Sequence, residues 1–344
     1  MEDPYGSIDR LALNVMADLK KLQPEVFAEY RGSPNDPWLD ETKKQIAFLF
    51  DAATIDSAPM FINYIAWAKI ILVHAHLPPE IFREKLEIMR QHCKAELSGL
   101  FAEKVDHILA LTLQKYPGMP EMEPPFIDRS QETGRIAEKY LEEVLGGERR
   151  AAQETIRKAI ADGIQPKDIY INIIQRAQYE VGRLWQLGQI SVAQEHYATE
   201  FAHQMLSQLS LSMTCHPFKK GSLVVTCVGN EMHGLGSRMV SDFLEMDGWD
   251  VIYLGANTPH VDVVLFLKER KARALLVSAT MGYNVKRVKM LIRHIRAEPD
   301  LANVKILVGG WAFNNVDGLW NAIGADGFAK DADGAVKVVN DLLK

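Results

Sequence analysis

At 344 residues, 47% hydrophobic and 24% charged, the chain reads as a globular protein of two or three domains. Its formal charge of −6, without any basic run, argues against a nucleic-acid footprint. Three cysteines (Cys93, Cys215, Cys227) form no C-x-x-C and no disulfide framework, which fits a reducing cytoplasm.

The first 118 residues read as all helix, over 11–30, 39–53, 58–76, 79–97 and 100–116. Pro79 restarts a helix at a position where proline is welcome. Ser98-Gly99 is the weakest of the breaks, so the last two helices could be one. Met1-Glu2-Asp3-Pro4 lacks a signal-peptide core. The apolar stretch 61–73 contains Asn63 and Lys69 and is too short to span a bilayer, so a cytoplasmic protein away from membranes is expected. Tyr64, Trp67 and Ile71 share one helix face, as core or as the wall of a pocket for a planar chromophore. His74, His76, His92 and His107 are the candidates for a haem ligand, and Cys93 is a lone helical cysteine.

Residues 119–125, rich in proline, form a linker that no helix crosses. Helical spacing returns over 133–145, 148–161, 167–185 and 192–213, with glycine stops between, and predicts a four-helix bundle over 126–216. Trp185 ends the third of these helices. Ser191 is the N-cap of the fourth and puts Glu195 and His196 in its first turns, a W-x9-E-H arrangement.

After a boundary at 216–221, the run Ser222-Leu223-Val224-Val225-Thr226-Cys227-Val228 reads as a buried strand. Further strands at 250–254, 274–278 and 304–308 alternate with helices, so 219–344 is expected to be a parallel, flavodoxin-like α/β domain. Ligands of such sheets bind beyond the carboxyl ends of the strands. Glu231-Met232-His233-Gly234-Leu235-Gly236, Ser278-Ala279-Thr280 and Gly309-Gly310 all fall there. His233 can present a neutral nitrogen to a metal, with Glu231 taking the proton on the other nitrogen. Gly236 permits close approach of a ligand. Ser278 and Thr280 supply hydroxyls, and Gly309 and Gly310 leave room for a ring or phosphate.

The pattern E-x-H-x-x-G, S-x-T, G-G resembles that of the cobalamin-binding domain of corrinoid enzymes, D-x-H-x-x-G, S-x-L, G-G, over about 221–344. The resemblance implies that His233 replaces the cofactor's own base as lower cobalt ligand while the nucleotide tail enters the sheet. Glu231 stands for Asp and Thr280 for Leu. The W-x9-E-H spacing is similar to that of light-sensing cobalamin repressors and implies that Trp185, Glu195 and His196 cover the upper corrin face, around adenosylcobalamin. Where those repressors have a cobalt-binding His after the Trp, this chain has Gln186, and their DNA-binding head is missing.

The whole order, a globin-like helical sensor (1–118), a bundle and a Rossmann-like cobalamin domain, resembles the photocobilins. That resemblance implies biliverdin as a second chromophore, a light-dependent homo-oligomer, an unidentified signalling partner and no enzymatic output in this chain. The alternative is a corrinoid methyl carrier of a methyltransferase system; a haem-based sensor is a third reading.

Overall fold

The computed structural model describes residues 4–28, 36–211, 213 and 220–344. Cys215, most of the expected boundary at 216–221 and the end of the first expected helix near Tyr30 lie outside the described residues. The chain separates into two compact units, Met1–Met122 and Glu123–Lys344.

The first unit is helical: α1 (Ile8–Leu22), α2 (Pro37–Ile55), α3 (Ala58–His74), α4 (Pro79–Glu96) and α5 (Gly99–Lys115). Asp36 caps α2 by accepting from the Trp38 and Leu39 amides at 3.1 and 3.2 Å, and Pro37 opens the helix with its preset φ. The Ser98-Gly99 break is real: Leu97 is extended, and α4 and α5 are separate helices tied by Arg90 and Lys94 on Asp106. Leu11, Val15, Ile46, Leu49, Phe61, Ile65, Leu86 and Leu109 fill the core. The Tyr64–Trp67–Ile71 face is only half-buried, and Tyr64 stacks on Trp67 at 6.1 Å. His92 is held by Asp18 at 2.9 Å. Cys93 is buried, and burial pushes its thiol up to about 12, so it packs as an inert core residue.

The second unit starts with a bundle: α6 (Glu132–Leu145), α7 (Arg149–Ala161), a composite third helix, and α10 (Val192–Ser210). The third helix was expected to be regular. It runs instead as α8 (Pro166–Asp168), a π-helical turn (Ile169–Ile174) and α9 (Gln175–Gln186), with right-handed backbone through each join. The wider turn brings Tyr170 inward, where its hydroxyl lies 2.9 Å from both the Leu206 carbonyl and Asp242 Oδ2. Ser191 caps α10 in a reciprocal capping box with Gln194.

Five parallel strands follow: β1 (Ser222–Val228), β2 (Asp250–Thr258), β3 (Ala274–Ser278), β4 (Lys305–Gly309) and β5 (Gly327–Ala329), in the order β2-β1-β3-β4-β5. Between them lie α11 (Leu235–Met246), α12 (His260–Arg270), α13 (Val285–Ala297), α14 (Trp311–Asn314) and α15 (Leu319–Ala322), and α16 (Ala332–Leu342) closes the domain. The sequence reading missed β5, and β2 runs four residues past its expected end through a bulge at Gly255, whose φ is 83°. Met239 and Phe243 of α11 and Ala332 of α16 join the bundle's own core, so bundle and sheet share one apolar interior. Among the described residues no helix is long and apolar enough to cross a membrane.

Candidate functional site

Register aligns the ends of the strands. Cys227 pairs with Ser278, Ser278 with Gly309, and Gly309 with Ala329. The loops after β1, β3 and β4 therefore leave from one rim. The order places β1 beside β3, where the chain reverses its direction of strand addition, the point at which ligands of such sheets bind.

Glu231 and His233 sit in the loop from β1 to α11. Glu231 is fully buried, whereas the His233 side chain is 53% exposed. Glu231 Oε1 accepts from His233 Nδ1 at 2.5 Å and from the His233 amide at 3.2 Å. Its Oε2 accepts from the amides of Thr280 (2.8 Å) and Met281 (3.0 Å) and from Asn284 Nδ2 (3.0 Å). Burial pushes the carboxyl up. The His233 ring N–H, the Met281 amide, the His233 charge and the Asn284 amide outweigh it and hold the carboxyl at about 2. In return, the bond to Glu231 raises His233 above the ordinary imidazole value against burial, and the charges of Glu231 and Glu195 add to it. With Nδ1 bound to buried Glu231, Nε2 is the remaining nitrogen of a half-exposed ring. Among the described residues no three His, Cys, Asp or Glu side chains gather to hold a metal. The arrangement offers one imidazole, that of His233.

The loop itself is fixed from both sides. Tyr253 and Ser237 donate to the Gly234 carbonyl at 2.7 and 2.8 Å. Asn257, in left-handed backbone at the end of β2, accepts from the Asn230 amide at 2.7 Å and donates its own amide to the Glu231 carbonyl at 2.9 Å. None of these four residues, nor Asn284, stood out in the sequence. Asn284 carries the ordinary signal of a residue opening a helix, but its contact with Glu231 spans 53 positions.

The other expected residues divide. Gly236, on the first turn of α11, has no heavy atom within 4 Å of where a Cβ would stand. Gly309 and Gly310 are bare for a different reason from the one expected. A Cβ on Gly309 would lie 2.9 Å from the Ala329 carbonyl, and one on Gly310 2.5 Å from that of Ala279. In both places the protein's own backbone lies close by. Trp311 follows them and packs against Phe126 (6.1 Å) and Tyr179 (5.9 Å). Ser278 and Thr280 are half-buried at the rim.

On the bundle, Trp185 is half-buried one residue from the end of α9, while Gln186 is 6% exposed. Glu195 Oε2 meets His196 Nδ1 at 2.5 Å, and Thr199 donates to Glu195 Oε1 at 3.4 Å. Glu195 stands near enough to His233 for its charge to act there, so this part of the bundle faces the loop after β1.

A B12 binding domain model matches residues 221–339, and a second B12 binding domain model matches 136–210. The chain is a cobalamin-binding protein, built from a helical bundle and a Rossmann-like domain. It is similar to dimethylamine corrinoid protein 3 of Methanosarcina acetivorans, 25% identical over 215 residues, which is 60% of this chain and 97% of that protein. It is also similar to the trimethylamine corrinoid protein of Methanosarcina barkeri, 24% identical over 217 residues, 60% of this chain and 96% of the relative. The solved structure of the Methanosarcina barkeri monomethylamine corrinoid protein shares the fold, with a TM-score of 0.55 and 22% identity over 60% of this chain and 98% of that one. These relatives are spanned almost whole, and the remainder of this chain lies outside them.

Proposed function

We propose that the chain holds cobalamin between bundle and sheet, with His233 as lower cobalt ligand, and that it serves as a corrinoid carrier bringing a methyl group to a partner methyltransferase. The observation that carries the ligand assignment is the Glu231–His233 pair. A buried carboxylate occupies Nδ1 and fixes the tautomer, so that Nε2 is the basic atom on a half-exposed ring. The residues present fit the cofactor. One imidazole is offered, Gly236 opens on free space, and the hydroxyls of Ser278 and Thr280 lie on the same rim. Ser278 and Thr280 would hold the nucleotide tail, and Trp185, Glu195 and His196 would stand over the opposite face. Bound cobalamin supplies a reactive cobalt–carbon bond. The relatives named for methylamine corrinoid proteins support the carrier reading.

A second reading, a light sensor binding adenosylcobalamin, is favoured by the cap. The Glu195–His196 pair and half-buried Trp185 sit on adjoining helices, and Glu195 acts on His233. It is also favoured by the helical unit Met1–Met122, which exceeds what a bundle and a cobalamin domain need. In that reading biliverdin is a second chromophore, and a homo-oligomer rearranges in light to engage a signalling partner.

One experiment separates the two. Holoprotein is loaded with methylcobalamin or adenosylcobalamin, kept dark or lit green, and followed by absorption and by size. Methyl transfer to an acceptor with a partner enzyme, at unchanged size, supports the carrier. A change of assembly in light, specific to the adenosyl form, overturns it. Cobalamin binding and absorption left unchanged by His233→Ala would remove the ligand assignment from both readings.

A further inference from the structure

The proline-rich stretch that leads into the second unit is fastened to α9. Pro124 and Pro125 carry no amide proton, so the first backbone donor after them is that of Phe126. It goes to Glu180 Oε2 on α9 at 2.9 Å. Glu180 is 7% exposed, and its other oxygen is held by Arg183 through Nε at 3.0 Å and Nη2 at 2.6 Å. Burial pushes the Glu123 carboxyl up, against the charge of Arg183, so the start of this strap lies beside the same pair. Farther along, a Cβ on Gly134 of α6 would stand 1.8 Å from the Asp128 carbonyl oxygen, so the segment passes α6 at a distance only glycine permits.

The Phe126 ring joins bundle and sheet. It lies 5.5 Å from Tyr179 of α9 and 6.1 Å, edge-on, from Trp311, and Tyr179 and Trp311 are 5.9 Å apart. Trp311 opens α14, directly after Gly310 at the rim of the sheet, and Tyr179 precedes Trp185 on α9. The opposite end of that composite helix is fixed in another way. Tyr170 is fully buried, and its hydroxyl bonds to Leu206 and Asp242 inside the shared core. With buried core at one end and three partly exposed rings at the other, the Trp185 end is the easier one to release.

We propose that the strap from Glu123 to Phe126 is a clasp that holds the Trp185 end of α9 against the rim, and that Phe126 is a positioning residue for the cover over the upper corrin face. The second half of the proposal rests on cobalamin lying between bundle and sheet. Glu180 fixes where the strap lies, and the Phe126 ring packs on both Tyr179 and Trp311. The strap lies outside the stretches 136–210 and 221–339 that match B12 binding domain models, so it is an addition to that framework. With the ring in place α9 stays down, and small molecules reach the upper face when the clasp lets go.

Two measurements on the full chain test it. The first is hydrogen exchange without cofactor. In Phe126→Ala the amides of 179–187 are expected to exchange roughly tenfold faster than in the parent, the scale of two lost aromatic pairs, while those of 167–174 keep their rates. The second uses protein loaded with aquocobalamin and follows by absorption the rate at which azide replaces the upper water. That rate is expected to rise by a similar factor in Phe126→Ala, to rise in Tyr179→Leu without adding to the first change, and to return in Phe126→Tyr, with cobalamin affinity held throughout. Equal exchange along 179–187 in parent and Phe126→Ala overturns the clasp. So does faster exchange along all of 167–187, which marks general loosening. Should Phe126→Ala fail to fold, Phe126→Leu reads the same amides, with a smaller rise expected. An unchanged azide rate in a variant whose 179–187 segment has loosened overturns the positioning role. A parent that binds no cobalamin overturns the site between bundle and sheet and the positioning role with it, whereas the clasp is judged by hydrogen exchange alone, so the two failures are distinct.

Discussion

Replacing Glu231 by Gln turns one carboxylate oxygen into an NH2 group and removes the negative charge, and the surroundings give the NH2 no good place. Five N–H donors face the carboxylate: the Thr280 and Met281 amides and Asn284 on Oε2, and the His233 amide and ring on Oε1. Three of them leave no room for a donor on the Oε2 side, so the NH2 must turn toward His233. There it opposes one N–H outright, and the imidazole must move its proton to Nε2 to accept at Nδ1. Nε2, the nitrogen proposed as cobalt ligand, is then protonated. The carboxyl's fall from 4.5 to about 2 corresponds to roughly 3 kcal/mol of folding stability in this fully buried group. Glu231→Gln should lose a share of this order in chemical denaturation at pH 7. Cobalamin affinity should fall about 10–100-fold, the usual scale for the partner of a metal-bound histidine. Electron paramagnetic resonance of the reduced cobalt reads the axial ligand directly: splitting by a histidine nitrogen should be present in the parent and lost in the variant. If the splitting survives with affinity unchanged, Glu231 does not set the tautomer.

Two opposite pH dependences follow from the same pair. Glu231 is depressed, so its stabilisation is full above about 4.5 and is lost as pH falls toward 2; urea midpoints across that range should drop, and should drop less in Glu231→Gln. His233 is raised, so its protonation favours the folded protein below its ordinary value and that gain fades as pH rises through the raised one, whereas metal ligation at Nε2 runs the other way and weakens with acid; cobalamin titrations should show this slope in the parent and a flat line in His233→Ala. Gly310→Ala combines a φ of 96° with a Cβ 2.5 Å from the Ala279 carbonyl and should cost about 2 kcal/mol or more, measured by thermal melting, whether or not cofactor is added. Trp185→Ala should keep cobalamin yet alter access to its upper face; an unchanged rate of exchange of the upper ligand would remove Trp185 from the cap.

Much of the sheet domain was legible because its strands are short apolar runs that need no context. β1 is buried along nearly its whole length, and the run 222–228 said so. β5 was missed because Gly327-Phe328-Ala329 is too short to carry a period, and its strand character comes from pairing with β4. The π-helical turn was invisible for a similar reason. Local spacing over 167–185 is helical, and the extra width serves Tyr170, whose partners lie 36 and 72 positions away.

By itself the sequence paired Glu231 with His233, since they are two residues apart and their bond is local. It determined the elements that carry them, because period and capping are local too. Tertiary structure alone decided what holds Glu231 in place, for Thr280, Met281 and Asn284 reach it only once β3 lies beside β1. It reassigned the bare Gly309 and Gly310 to the close approach of neighbouring strands. It also put the charge of Glu195 near enough to act on His233. Each depends on distances between segments far apart in sequence, and those are fixed by packing rather than by any one stretch of chain.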